Sequence, residues 1–163
     1  MSQLLSFETL YRDHASRVFR YALALCGDEA RARDIVSETF LRAWAAPTPL
    51  RVETVRAYLC AIARNLYLAE LRNTRRLVPI QAAGEVVALT EEADNLAERR
   101  QLREAVGKLP EGLRSALSLV VWEELSLAEA AQVLGISVSA MKMRVARAKL
   151  ELAKQIKQRE SWR

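Results

Sequence analysis

The chain has 163 residues, 51% of them hydrophobic, with 25 Lys/Arg against 20 Asp/Glu, a formal charge of +5 and a pI near 9.6. That apolar share excludes a disordered chain and fits one modest domain or two small ones, each with its own core, while the basic balance points to an anionic partner. Cys26, Cys60 and the single His14 lie far apart, which excludes a disulfide framework and a zinc-type ligand set, so no metal and no cofactor are expected.

Met1 is not followed by a basic leader with an apolar stretch, and the longest apolar runs, such as 22–26, are too short to span a bilayer. A cytoplasmic protein with no membrane insertion is expected. The first predicted helix has Phe7, Leu10, Tyr11, His14, Val18, Tyr21, Ala22 and Leu25 at spacings of three and four, and Gly27 ends it. Asp28 caps the second, where Ile35, Val36, Phe40, Ala43 and Trp44 are expected inward and Asp34, Ser37, Glu38 and Arg42 outward. Pro47 and Pro49 close that helix. After the loop, a third carries Tyr58, Leu59, Ile62, Leu66 and Leu71 inward and ends in Arg72, Arg75 and Arg76, cations that suit a helix C-terminus.

From residue 77 to 98 the periodicity fades, and a linker of 22 residues is long for a compact domain, which marks a boundary. Residues 1–76 carry 12 Arg/Lys against 8 Asp/Glu, a net of +4; residues 77–98 carry 5 acids and no cation; residues 99–163 carry 13 against 7, a net of +6. Two basic units joined by an acidic connector are expected to face a polyanion with the units and not with the connector. The fold class predicted is all-α: two small helical domains, 1–76 and 99–163, joined by a flexible linker.

In the second unit a helix is expected from about Leu96 to Val106, and Pro110 opens another. Ser126 and Glu129 then form a capping box, Gly135 allows a sharp left-handed turn, and Ser137 caps the helix that follows. A short helix, a tight turn and a longer helix are the proportions of a helix-turn-helix. In its second helix Val138, Met141, Val145, Ala148 and Leu152 form one core stripe. Ser139, Met143, Ala146 and Arg147 point the other way, flanked by Lys142 and Arg144. Small side chains bracketed by cations are what entry into a DNA major groove requires; the bland alternative is a solvated basic face.

The string LPEGLRSALSLVVWEELSLAEAAQVLGISVSAMKMRVARAKLEL resembles the promoter-binding C-terminal region of bacterial RNA polymerase sigma factors of the extracytoplasmic-function (ECF) group. DEARARDIVSETFLRAW followed by VRAYLCAIARNLYLAELR resembles their N-terminal region, and the two together span nearly the whole chain in the family's order. The resemblance implies a protein that binds core RNA polymerase, directs it to a promoter and helps open the DNA, without being an enzyme. It implies core polymerase (the beta-prime clamp helices and the beta subunit) and promoter DNA as partners, and an anti-sigma factor as a further one. A DNA-binding regulator using only the helix-turn-helix, or a sigma mimic that binds an anti-sigma factor without reading DNA, are the other readings.

By the same resemblance, Asp34, Ser37, Glu38, Phe40 and Leu41 dock on the clamp helices, with Ser37 standing where the family commonly has Gln. Residues 45–54 and the next helix melt and read the minus-ten element, a step in which a base leaves the stack for a protein pocket. Arg56, Tyr58, Arg64 and Asn65 are the implied readers, Tyr58 being equally suited to the core, and Arg72, Arg75 and Arg76 meet duplex phosphates. Ala69 and Glu70 stand where the family commonly carries Asp-His. For the minus-thirty-five element the implied residues are Ser139, Lys142, Met143, Arg144, Ala146 and Arg147, and the acidic linker matches the segment that threads toward the RNA-exit channel.

Overall fold

A computed structural model describes residues 6–47, 49–74 and 96–162. The expected linker lies largely outside these, as do Arg75 and Arg76. Among the described residues the structure is helical throughout: α1 (Phe7–Cys26), α2 (Glu29–Ala45), α3 (Val55–Thr74), α4 (Leu96–Gly107), α5 (Glu111–Leu117, continued by a π-helical turn Ser118–Trp122), α6 (Leu127–Leu134) and α7 (Val138–Glu160).

Local chemistry sets the boundaries. Ser6, Asp28, Ser126 and Ser137 each accept a hydrogen bond from the amide three residues on, at 3.0–3.2 Å, which satisfies one of the orphan donors of each helix start. The Ser126 hydroxyl takes the Glu129 amide. Gly27 and Gly135 end α1 and α6 at φ of 70° and 66°, the left-handed conformation that glycine adopts without a Cβ penalty.

Helices α1, α2 and α3 pack on one another, and α5, α6 and α7 form the second group, with α4 lying against α7. The two groups also pack together, α3 against α6 and α1 against α5, so that Leu10, Tyr21, Phe40 and Leu59 share one apolar cluster with Leu119, Leu125, Val133 and Met141. A smaller cluster of Val106, Leu109, Leu117 and Ala148 fastens α4 and α5 to α7.

The structure alters several expected inward positions. Phe7, Tyr11, Trp44, Tyr58 and Val138 are all substantially exposed, whereas Phe19 and Leu23, off the predicted stripe of α1, are buried. The reason is that α1 is packed by α2, α3 and α5 together, so a single stripe does not describe its buried surface.

Candidate nucleic-acid interface

The outer face of α2 presents Asp34, Ser37, Glu38 and Leu41 at spacings of three, four and seven, all exposed. Glu38 Oε1 accepts from Arg42 Nε at 2.8 Å, one turn on. Phe40 does not belong to this face. It is 1% exposed and sits edge-on beneath the Tyr11 ring at 5.0 Å, so its side chain is core and Leu41, 61% exposed, is the apolar group offered to a partner. Sequence reasoning missed what lies next to it. Trp44 stands out of α2 against Phe7, centroids 5.5 Å apart, and Phe7 stacks on Tyr11 at 6.2 Å. The i, i+4 spacing of Phe7 and Tyr11 was the available signal, but it reads equally well as core.

The residues expected to meet minus-ten DNA separate onto two sides of α3. Tyr58, Asn65 and Arg72 recur every seven residues, two helical turns, and form one exposed line. Arg56 and Arg64 turn toward the second helical group. Arg56 Nη1 donates to the Glu123 carbonyl at 3.5 Å, and Arg64 Nη2 lies 3.6 Å from Glu111 Oε1 with its side chain only 14% exposed. The loop before α3 borders a cavity of about 500 Å³ lined by Leu50, Arg51, Thr54 and Tyr58 on one side and by Glu129 and Gln132 of α6 on the other.

On α7, Ser139, Lys142, Met143, Ala146 and Arg147 are exposed, opposite the buried Met141, Val145 and Ala148. Arg144 is different: it is half-buried with its guanidinium beside Gly112 of α5, where an added Cβ would come 3.2 Å from Nη1 and push the arginine by a few tenths of an ångström. Lys142 and Arg147 are left as the cations flanking an outward surface of short or flexible side chains.

Glu123 was not singled out from the sequence. It ends the π-helical turn, with its amide bonded to Ser118 O at 3.1 Å, and the next residue, Glu124, adopts φ 54°, uncommon for a residue other than glycine. The carboxyl is thereby held inside, 2% exposed, and Oε1 has no hydrogen-bond partner. Burial pushes its pKa up to about 7, against the opposing pull of Arg20, Arg17 and Arg56. His14 is shifted the other way, held below its usual value chiefly by burial and also by Arg56 and Arg17, although Asp13 opposes them. Burial likewise raises the Cys60 thiol, helped by Glu123. Burial raises the Cys26 thiol as well, so neither thiol is a reactive group in this setting. Among the described residues no cluster of three His, Cys, Asp or Glu side chains could hold a metal ion, and no helix is long and apolar enough to cross a membrane.

Residues 10–77 match the family described as sigma-70 region 2, and residues 99–152 match sigma-70 region 4. The ECF RNA polymerase sigma factor SigL of Mycobacterium tuberculosis is 32% identical over 142 residues, covering 83% of this chain and 80% of that protein. EcfG of Rhodopseudomonas palustris, also an ECF sigma factor, is 35% identical over 136 residues, covering 82% and 75%. Among solved structures, the sigma factor RpoE of Bartonella quintana, in complex with the anti-sigma factor NepR, superposes with a TM-score of 0.77 at 23% identity, over 93% of this chain and 96% of that one. CnrH, bound to the cytosolic domain of CnrY, superposes with a TM-score of 0.66 at 27% identity, over 93% and 88%.

Proposed function

The chain belongs to the sigma-70 family as an ECF RNA polymerase sigma factor, and from that premise we propose a role for each of its surfaces. As such a factor it directs transcription initiation. The unit 1–76 docks on core polymerase and opens the minus-ten element, the unit 99–163 reads the minus-thirty-five element, and the acidic residues 77–98 connect them.

Docking falls to Asp34, Ser37, Glu38 and Leu41, whose exposure on one face of α2 offers carboxylates around an apolar centre to the basic clamp helices of the beta-prime subunit, the beta subunit being the other contact. Tyr58, Asn65 and Arg72 form the exposed line toward minus-ten DNA; Arg75 and Arg76 are assigned to the same element, as are Arg56 and Arg64, which lie on the side of α3 that faces the second helical group. Ser139, Lys142, Met143, Ala146 and Arg147 enter the major groove at minus-thirty-five, and Arg144, held against α5, serves phosphate at the rim. Met143 and Ala146 donate no hydrogen bonds, so they contribute apolar contacts of the kind thymine methyls provide. The reading rests above all on the outward face of α7, whose side chains are accessible beyond a capped, glycine-closed turn.

The protein works in the cytoplasm without chemistry of its own, and an anti-sigma factor is its regulatory partner, as in the complex of the related RpoE with NepR. The test is run-off transcription with purified core polymerase on a genomic fragment library. Glu38→Arg is expected to lose core binding by tenfold or more, about 1.4 kcal/mol, while its melting temperature stays close to wild type because the Glu38–Arg42 pair is exposed. Wild type that binds neither core nor promoter would refute the assignment.

A further inference from the structure

The outward face of α7 has little with which to hydrogen-bond a base. At steps of four, three, four and three residues, Ser139, Met143, Ala146, Leu150 and Ala153 fall on one line of the helix, and all five are exposed. Met143 is 57% and Leu150 62% exposed, so beyond the Ser139 hydroxyl the line is an apolar strip open to solvent. Exposed Lys142 and Lys149 border it on one side and exposed Arg147 on the other. Arg144, whose guanidinium fork could match a base edge, is instead half-buried beside Gly112 of α5.

We propose that the centre of this face reads the C5 methyl group of pyrimidines, and that it accepts 5-methylcytosine as well as thymine at the base pairs under Met143 and Ala146. Cytosine methylation of the DNA would then create sites for this chain. The inference rests on the assignment of α7 to the minus-thirty-five element, and it names the chemistry that the element must offer.

The major groove carries one apolar feature, the methyl group at C5; the other groups that mark a base pair there are hydrogen-bond donors and acceptors. Thymine and 5-methylcytosine share that methyl group. They differ at C4, where thymine has a carbonyl acceptor and cytosine an amino donor. The Ala146 methyl can bond to neither, and the Met143 thioether is only a weak acceptor, so the C4 substituent goes nearly unread and the methyl group decides. Unmodified cytosine presents the same amino group as its methylated form without the apolar contact, and is disfavoured for that reason alone. The spacing suits this use. Three residues advance a helix by about 4.5 Å, against about 3.4 Å between base pairs, so Met143 and Ala146 reach neighbouring steps. The flanking cations hold the strip against the polyanion and leave discrimination at its centre to the methyl groups.

The test uses the full chain with core polymerase and one randomised duplex library prepared in three forms: ordinary, with uracil in place of thymine, and with 5-methylcytosine in place of cytosine. Uracil removes only the methyl group. Bound duplexes are sequenced, and the positions under the strip are those whose base preference changes in Met143→Gln, a replacement of an exposed side chain by an amide that can bond to a base edge. At those positions the ordinary library is expected to favour thymine, and uracil to be enriched about fourfold less, the value of one buried carbon group. The third library is expected to enrich 5-methylcytosine to within about twofold of thymine where unmodified cytosine is not enriched. In Met143→Gln the affected step should no longer distinguish thymine from uracil.

Equal enrichment of thymine and uracil by the wild-type chain overturns the proposal, and so does 5-methylcytosine that behaves as plain cytosine. Either result leaves the sigma assignment standing and gives the apolar strip to a protein partner. An unchanged preference in Met143→Gln overturns it too, because that side chain then reads nothing. If the ordinary library yields no enriched duplex, the assignment of α7 to promoter DNA fails and the proposal falls with it.

Discussion

Glu123 makes the stability of the packed chain depend on pH in an unusual direction. Its carboxyl has a pKa of about 7 in the structure against an ordinary value of 4.5, so between these values the folded state binds more protons than the unfolded state. For a carboxyl shifted upward, the stabilising contribution is complete below pH 4.5 and is lost as pH rises through 7. The shift corresponds to about 3 kcal/mol at 1.36 kcal/mol per unit, an upper figure because water entering between the packed helices would reduce it. The groups facing it are Arg17 and Arg20 from α1, Arg56 from α3 and the neighbouring Glu124, and the arginines already oppose the shift. His14 contributes with the opposite sign, since its lowered pKa costs stability as pH falls, so the wild-type profile alone mixes two groups.

Glu123→Gln separates them, because an amide of the same shape keeps the buried contact and cannot ionise. Urea unfolding of both proteins from pH 5 to pH 8.5, followed by circular dichroism, should give similar stabilities at the acid end and a difference of about 1–3 kcal/mol in favour of the glutamine variant at the alkaline end. Parallel profiles for the two proteins would show that Glu123 ionises freely and would remove the reasoning that treats it as a buried, burial-shifted acid.

Two further expectations concern the helix-turn-helix. Gly135→Ala meets no atom within 4 Å, so its whole cost is the left-handed backbone at φ 66°; a destabilisation of about 1 kcal/mol, or a melting temperature lower by about 2–4 °C, is expected by calorimetry, and no change would contradict the turn geometry. Replacing Arg147 by alanine leaves the core untouched. If it contacts phosphate, the slope of log binding constant against log salt on promoter duplex should fall by about 1, whereas a relaxed base preference at one position with an unchanged slope would assign it to base readout.

Helix starts and stops were legible along the chain because they depend on neighbours in sequence: Asp28, Ser126 and Ser137 cap from their own side chains, and Gly27 and Gly135 turn where no other residue turns without strain. The outward face of α7 was legible for a related reason. Met141, Val145 and Ala148 bury one side, so helical geometry alone puts Ser139, Met143, Ala146 and Arg147 on the other. Periodicity failed where a helix has several packing partners or stands at an edge. Phe40 and Leu41 are adjacent in a motif, yet one is core and the other is surface, and the Phe7, Tyr11 and Trp44 rings that look like core gather on the outside.

The sequence by itself determined an all-helical chain, its segment boundaries, the helix-turn-helix and the ECF resemblance, because caps, turns and amphipathic period are local physics. Which arginines of α3 face solvent and which face protein was decided by tertiary structure alone. Tyr58, Asn65 and Arg72 remain outside because no helix among the described residues covers them, and Arg56 and Arg64 turn to the second helical group because Glu111 and Glu123, more than 45 residues further along the chain, are carried to them by α5 and its π-helical turn.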